Sequence, residues 1–337
     1  MSPACSSREP TRYQIQELIS QRARCAQEVA AAKQQAGNHS SFYRPEREVD
    51  VLRRVVQRNQ GPLSGEEMAR LFREIMSACL ALESPLKIAF LGPEGTFTQA
   101  AALKHFGHSV HTLPLNAIDE VFREVESGAA QYGVVPIENS TEGVINHTLD
   151  MFVNSPLRIC GEVELRIHHH LLGRGKSRKS IKKIVSHSQS LAQCREWLDA
   201  NLPKPERVAV SSNAAAARLA ARDVKLAAIA GGSAADIYKL NILAKNIEDE
   251  PDNTTRFLVI GRLETQPSGV DKTSLLVAGQ NRSGALAALL APFSRNQINM
   301  TRIESRPSRK GLWEYVFFLD IDGHVKDERV VRALDEL

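Results

Sequence analysis

A chain of 337 residues with 42% hydrophobic and 24% charged residues has the composition of an ordinary globular protein of two or three domains. Its 43 Lys and Arg against 39 Asp and Glu give a formal charge of +4, which suits an anionic metabolite but is too mild for a nucleic-acid partner. The five cysteines (Cys5, Cys25, Cys79, Cys160, Cys194) show no CxxC and no zinc spacing, no apolar run approaches about 18 residues, and the start lacks a signal-like apolar core, so the expectation is a reduced, cytoplasmic protein with no membrane contact.

Residues 12–84 read as helices. In "IQELISQRARCAQEVAAAK", Ile15, Leu18, Ile19, Cys25, Ala26 and Val29 recur at helical spacing, and Val49, Leu52 and Val56 mark a second helix after the loop around "GNHSS". Ser64 with Glu67 three residues on is a capping box that opens a third helix, whose predicted buried stripe is Met68, Leu71, Phe72, Ile75, Cys79 and Leu82. Three helices of this size make a thin core alone, which predicts a dimeric helical bundle.

Residues 87–262 change character: "KIAFLG", "YGVVPI", "RICGEVEL", "KKIVSH", "RVAVSS", "KLAAIA" and "RFLVIG" are short apolar runs with helical stretches between several of them. The alternation predicts an α/β domain with largely parallel strands, in two sub-lobes with ligand in the crevice at strand ends. After the linker "TQPSGVDK", residues 273–337 read strand, helix, strand, strand, helix, a βαββαβ pattern that ends before a final strand and so leaves an edge.

Three stretches of the middle segment carry chemistry. "FLGPEGTFTQAAALKHF" is strand, Gly-rich turn and helix, either a simple helix cap or an anion-attracting helix start, and neither a Walker loop nor a dinucleotide fingerprint. In "VVPIENSTEGVINHT" an apolar strand ends in five polar side chains, Glu138 to Glu142, either a solvated turn or a substrate-reading loop. In "EDEPDNTTRFLVIG" the residues Thr254, Thr255 and Arg256 stand where an acidic loop meets a strand, either a turn cap or an active site. His168, His169 and His170, placed on a strand, would alternate faces so that at most two could share a metal, and no acidic residue stands at ligand spacing.

"GPEGTFTQAA", "VVPIENSTEG", "SHSQSLAQC" and "TTRFLV" occur in the order and spacing of prephenate dehydratases. The preceding segment resembles the all-helical chorismate mutases, and the following one, with "SGAL" and "ESRP", resembles the ACT regulatory domain. The chain thus resembles the bifunctional chorismate mutase/prephenate dehydratase family over nearly all of residues 13–337. The resemblance implies a multidomain fold: a helical mutase bundle over 1–86, a two-lobed, periplasmic-binding-protein-like α/β dehydratase over 87–263, and a ferredoxin-like α+β ACT domain over 273–337. It implies chorismate and prephenate as substrates, phenylalanine as inhibitor, a homodimer or higher homo-oligomer, and no cofactor or metal.

For the dehydratase, the resemblance makes Thr255 the catalytic donor to the departing hydroxyl of prephenate. An alcohol is a poor acid, so a hydrogen bond or a relay suits Thr255 better than outright proton loss. Arg256 would grip a carboxylate, or pair structurally with Glu248 or Asp249, with Phe257 packed beneath the site. Thr96, Asn139, Ser140, Thr141 and Gln193 would complete a pocket of neutral donors that does not stabilise the carboxylate to be lost.

For the mutase, Arg22 and Lys33 lie about three helical turns apart and share a face. By the resemblance Arg22 holds a carboxylate, Lys33 points at the ether oxygen and Glu48 binds the ring hydroxyl, with Arg44, Arg47 and Cys79 alongside. Glu83, where many relatives carry glutamine, must hold its proton to donate to that ether, so mutase activity is expected to fall as pH rises. At the position of the family's N-terminal arginine stands Cys5; either Arg8 or Arg12 would substitute, against an interruption of the helix expected at Pro10, or the mutase is weakened. Phenylalanine would bind at Gly284, Ala285 and Leu286 together with Glu304, Ser305, Arg306 and Pro307; Ser283 replaces a common proline. Rival readings are a monofunctional dehydratase with a degenerate helical segment, or a non-catalytic amino-acid-binding regulator.

Overall fold

The structure, a computed structural model, describes residues 8–35, 43–279, 282–307 and 315–337. They form two compact units, one reaching to Tyr43 and resuming over Gly61–Leu263, the other made of Arg44–Gln60 and Glu264–Leu337.

In the first unit α1 spans Arg8–Gln35. Residues 8–12 are helical, against the expected interruption at Pro10; Pro10 lies in the first turn, where a missing N–H costs no intrahelical bond. The Cys5 position and most of the "GNHSS" loop lie outside the described residues. Helix α2 (Pro45–Arg58) belongs to the second unit, and α3 (Gly65–Glu83) to the first. The capping box of α3 forms one arm, with the Glu67 N–H donating to Ser64 Oγ at 3.1 Å, while the Glu67 carboxylate turns to Arg70 instead. The predicted apolar stripes are buried only in part: Ile15, Leu18, Ile19, Val29, Leu71, Phe72 and Leu82 are exposed, while Ala26 and Cys79 of those stripes join Ala30 and Ser77 in the buried seam. Two helices present too narrow an interface to cover a full stripe on each. Among the described residues no helix is long and apolar enough to cross a membrane.

The rest of the first unit is two lobes. The first lobe holds β1 (Lys87–Leu91), β2 (His111–Leu115), β3 (Tyr132–Asn139), the short β4 (Gly143–Val144) and β5 (Arg158–Arg166), with helix α4 (Phe97–Phe106) following β1. The chain then crosses through residues 167–169 to the second lobe: β6 (His170–Gly173), β7 (Lys183–Ser186), β8 (Glu206–Ala209), β9 (Leu226–Ala230) and β10 (Asn241–Ala244). It returns as β11 (Thr254–Gly261), which inserts between β3 and β5 and gives the sheet order β2-β1-β3-β11-β5; the second sheet runs β10-β6-β9-β7-β8.

The sheets are mixed rather than largely parallel. β1 pairs β2 and β3 in parallel, and β7 pairs β8 and β9 in parallel. The strands next to the crossings, β5, β6, β10 and β11, pair antiparallel because chain that leaves a lobe must come back to it. Ile88, Phe90, Phe106, Val134, Phe257 and Val259 are the first lobe's core, and Tyr43, from the chain before α3, is buried in the same cluster.

In the second unit β12 (Lys272–Gly279), β13 (Met300–Pro307) and β14 (Tyr315–Asp322) form an antiparallel sheet of order β12-β14-β13, packed by helices Ala285–Arg295 and Glu328–Asp335 through Phe293, Leu319, Ile321 and Val330.

Candidate active site

Thr255 is the second residue of β11, and its register partner on antiparallel β3 is Asn139, so the start of one strand and the end of the other meet at one edge of the lobe. β11 is paired on both sides, which holds Thr255 rigid. The Thr255 side chain is buried.

The hydrogen bonds there have a fixed direction. Asn139 Oδ1 accepts the backbone N–H groups of Thr141 and Glu142, each at 3.0 Å. The main chain thereby fixes the amide, so Asn139 Nδ2 must donate, to Asn253 Oδ1 and to Thr255 Oγ1, both at 2.7 Å. Thr255 is thus an acceptor toward Asn139, and its own O–H proton has no acceptor among the described residues. Asn253 Nδ2 donates onward to Gln193 Oε1 at 3.2 Å, and Gln193 Nε2 to Glu142 Oε1 at 3.1 Å. Because the Glu142 N–H returns to Asn139, the four residues close a ring whose Gln193 corner comes from the second lobe.

The other expected pocket residues divide. Ser140 is spent locally, its Oγ accepting from the Thr254 N–H at 2.9 Å, whereas the Thr141 side chain is exposed on the loop. Thr96 caps α4: its Oγ1 accepts from the Gln99 N–H at 3.4 Å and donates to the Leu91 carbonyl at 3.1 Å. Arg256 pairs not with Glu248 or Asp249 but with Glu138 at 3.3 Å and Glu162 at 2.5 Å, on the two strands flanking β11. A residue alternates faces with its strand neighbours, so Arg256 points away from Thr255, and its charge serves the sheet. Phe257 is buried in the first lobe's core. Asp249 instead accepts the N–H groups of Glu196 and Trp197.

His168 and His169 are not on a strand; they form the first crossing between lobes, and only His170 begins β6. His168 Nδ1 lies 2.8 Å from Glu248 Oε1, and the His169 N–H donates to Glu248 Oε2 at 2.9 Å. Although burial opposes it, the hydrogen bond from His168 and the backbone N–H groups hold the Glu248 carboxyl below its usual range. Burial pushes the His169 imidazole below its ordinary value. Its Nε2 lies 2.9 Å from Gln193 Oε1.

Sequence reasoning missed Asn253, Glu142 and His169. Glu142 was read as part of the polar loop but given no role of its own, and Asn253 only as a turn former, because nothing local says that Asn139 and Asn253, 114 positions apart, are neighbours. A fourth omission, Asn213, follows β8: its Oδ1 accepts the Ser190 hydroxyl at 3.0 Å and the His187 N–H at 3.2 Å, at the end of β7.

Of the expected mutase residues, Arg22 and Glu83 lie close enough to buried Cys79 to act on its thiol: burial raises the thiol's pKa, Arg22 opposes and Glu83 adds. Lys33 stands in the last turn of the same helix as Arg22. Arg44, Arg47 and Glu48 sit at the start of α2 in the second unit, with Arg44 bound to Glu46 at 2.8 Å. In that unit Gly284, in the left-handed region at φ 78°, stands just before the helix that opens at Ala285 and Leu286. Glu304, Ser305, Arg306 and Pro307 line β13 opposite β14.

Three family models match in succession: chorismate mutase type II over residues 13–84, prephenate dehydratase over 88–265 and the ACT domain over 273–337. The bifunctional chorismate mutase/prephenate dehydratase of Pseudomonas aeruginosa is 60% identical over 325 residues, covering 95% of this chain and 89% of that protein. That of Stutzerimonas stutzeri is 60% identical over 327 residues, covering 96% and 90%. The crystal structure of prephenate dehydratase from Arthrobacter aurescens in complex with L-Phe is 38% identical with a TM-score of 0.69, covering 75% of this chain and 85% of that one. Three models in this order, and relatives 60% identical over nearly the whole chain, show the family: the chain is a member of the bifunctional chorismate mutase/prephenate dehydratase family.

Proposed function

We propose that the crevice beside Thr255 converts prephenate to phenylpyruvate, that the helical segment supplies prephenate from chorismate, and that phenylalanine inhibits the dehydratase through the C-terminal ACT domain. Prephenate loses carbon dioxide and its ring hydroxyl: the electron pair of the breaking carboxylate C–C bond enters the ring, and the C–O bond breaks with its pair on the departing oxygen. Aromatisation drives the step, so the protein's task is to stabilise hydroxide as it leaves and becomes water. The observation that carries this reading is the direction of one bond: Thr255 Oγ1 accepts from Asn139 Nδ2 at 2.7 Å, which leaves its O–H to donate to that oxygen. The amides of Asn139, Asn253 and Gln193 suit a dianion without a tight ion pair to the carboxylate that must depart. The pairing of Arg256 with Glu138 and Glu162 agrees, since it occupies the guanidinium beside Thr255 in sequence with two carboxylates of the sheet.

For the mutase reading, Arg22, Lys33, Arg44, Arg47, Glu48, Cys79 and Glu83 are the residues that family matching assigns to chorismate. The exposure of Ile15, Leu18, Ile19 and Val29 supports a homo-oligomer in which a second copy of the chain covers them. The domain limits follow the three motif blocks: 1–86, 87–263 and 273–337. For regulation, Gly284 to Leu286 and Glu304 to Pro307 would receive phenylalanine.

Steady-state formation of phenylpyruvate from prephenate tests the dehydratase reading. Thr255→Ala should lower kcat by about 10² to 10³ with KM nearly unchanged, as for loss of a donor at a developing oxyanion, and Thr255→Ser should keep partial turnover. Thr255→Ala at wild-type speed would defeat it. The same assay from chorismate, with and without phenylalanine, tests the other two activities.

A further inference from the structure

His169 is 1% exposed, in the crossing between lobes, and no role above uses its ring. Its backbone is pinned on both sides: its N–H goes to Glu248 Oε2 at 2.9 Å and its carbonyl accepts the Ile247 N–H at 2.8 Å, so it joins the outgoing crossing to the returning one. Its ring stands edge-on to Phe97, centroids 5.6 Å apart at 77°. One ring nitrogen, Nε2, lies 2.9 Å from Gln193 Oε1; the other, Nδ1, is buried with no hydrogen-bond partner.

The direction of every bond in the ring then settles what Nε2 does. The backbone N–H groups of Thr141 and Glu142 fix Asn139, Asn139 fixes Asn253, and Asn253 Nδ2 requires Gln193 to present its oxygen. Facing an oxygen, Nε2 must be the protonated nitrogen. With the proton on Nδ1 instead, two lone pairs would face each other and a buried N–H would have no acceptor. The His169 bond, at 2.9 Å, is shorter than the 3.1 and 3.2 Å bonds that Gln193 makes to Glu142 and Asn253, and it comes from a fully buried group while Gln193 itself is half-buried. Gln193 otherwise has a long, freely rotating stem, and a turned amide would offer N–H to Asn253 Nδ2 and oxygen to the Glu142 carboxylate.

We propose that His169 is a positioning residue for the dehydratase: donating through Nε2, it holds the Gln193 amide in the one orientation that completes the ring and leaves the Thr255 hydroxyl proton free for substrate. The inference rests on Thr255 being the catalytic donor. It also makes the crossing between lobes part of the chemistry, because Gln193 belongs to the second lobe while Asn139 and Thr255 belong to the first.

The test uses the full chain and two substitutions chosen for reach. His169→Gln places an amide N–H near the position of Nε2, whereas His169→Phe fills the space, suits the contact with Phe97 and donates nothing. His169→Phe should lower dehydratase kcat about tenfold or more, the loss of one well-placed hydrogen bond, with KM for prephenate within about threefold, and His169→Gln should recover most of it. Should His169→Phe not fold, His169→Asn, whose shorter amide reaches Nδ1 but not Nε2, takes its place with the same expected loss. Equal losses in the Gln and Phe variants, tracking a lowered thermal midpoint, would assign His169 to packing and overturn the proposal. Wild-type kcat in His169→Phe would overturn it too. Thr255→Ala measured alongside separates the two failures: if it is inactive while His169→Phe is unaffected, only the positioning role falls; if it stays active, the underlying site assignment falls with it.

Discussion

Asn139→Asp is the smallest change that inverts the polarity of the site. It keeps the shape and leaves an oxygen to accept from the Thr141 and Glu142 N–H groups, but it puts a second oxygen where Nδ2 now donates at 2.7 Å to Asn253 and to Thr255. The Thr255 hydroxyl then has an ionised acceptor at contact distance and turns its proton to it. A hydrogen bond to a charged group is worth about 1.5–3 kcal/mol, and that bond must be given up before the proton can face the departing oxygen. At about 1.36 kcal/mol per decade, kcat should fall between about tenfold and about 150-fold, with some rise in KM from the added negative charge near a dianion. The decisive assay is a double-mutant cycle on prephenate turnover: in a Thr255→Ala background Asn139→Asp should cost far less in kcat, because the proton it sequesters is already absent. Asn139→Asp within twofold of wild type, or full additivity of the two losses, would refute the directional argument.

Two further predictions concern other parts of the chain. His105 on α4 lies 3.1 Å from the Tyr43 hydroxyl; burial, with a contribution from the charge of Arg73, pushes its pKa to about 4 from 6.5. The unfolded chain therefore binds this proton first, so the contribution is fully present above pH 6.5 and is lost as pH falls toward 4, amounting to about 3 kcal/mol as an upper bound for a partly exposed ring. The thermal midpoint should drop across that window and drop less in His105→Gln; parallel curves would remove His105 from the acid response. In the helical segment Glu83 stands half-buried near Cys79 and Arg22. Mutase turnover of the wild type should fall with rising pH and become flat in Glu83→Gln, and a flat wild-type profile would count against a protonated Glu83.

Local pattern served well where a side chain answers to its own segment. The start of α3 at Ser64, the helix at Ala285 and the apolar runs that became β1, β3, β7, β9 and β11 were all legible, as was the burial of Phe257. It failed where the answer lies across the fold. Helical periodicity in α1 identified an apolar face but not what covers it, so Ile15 and Leu18 are exposed while small Ala26 and Ala30 are buried. Arg256 was offered acidic partners in its own loop, and instead uses Glu138 and Glu162 of neighbouring strands, which a linear reading cannot rank. His169 read as one of three similar histidines; what distinguishes it is that two separate crossings and a helix of the other lobe converge on it. That Asn139 and Thr255 share one edge depends on β11 running antiparallel to β3, contrary to the largely parallel expectation.

The burial of Tyr43 limits how this chain can be cut. Its ring is wedged among Phe106, Tyr132 and His105, with centroids 5.4 and 5.3 Å from the first two, and Leu80 and Leu86 complete the same cluster. Gly107 turns so tightly under α3 that any side chain there would strike Ser77. A gene fragment starting at Lys87 would therefore leave a greasy socket open in the surviving lobe and invite clumping. Anyone dissecting the two activities is better served by point changes in the intact polypeptide than by scissors.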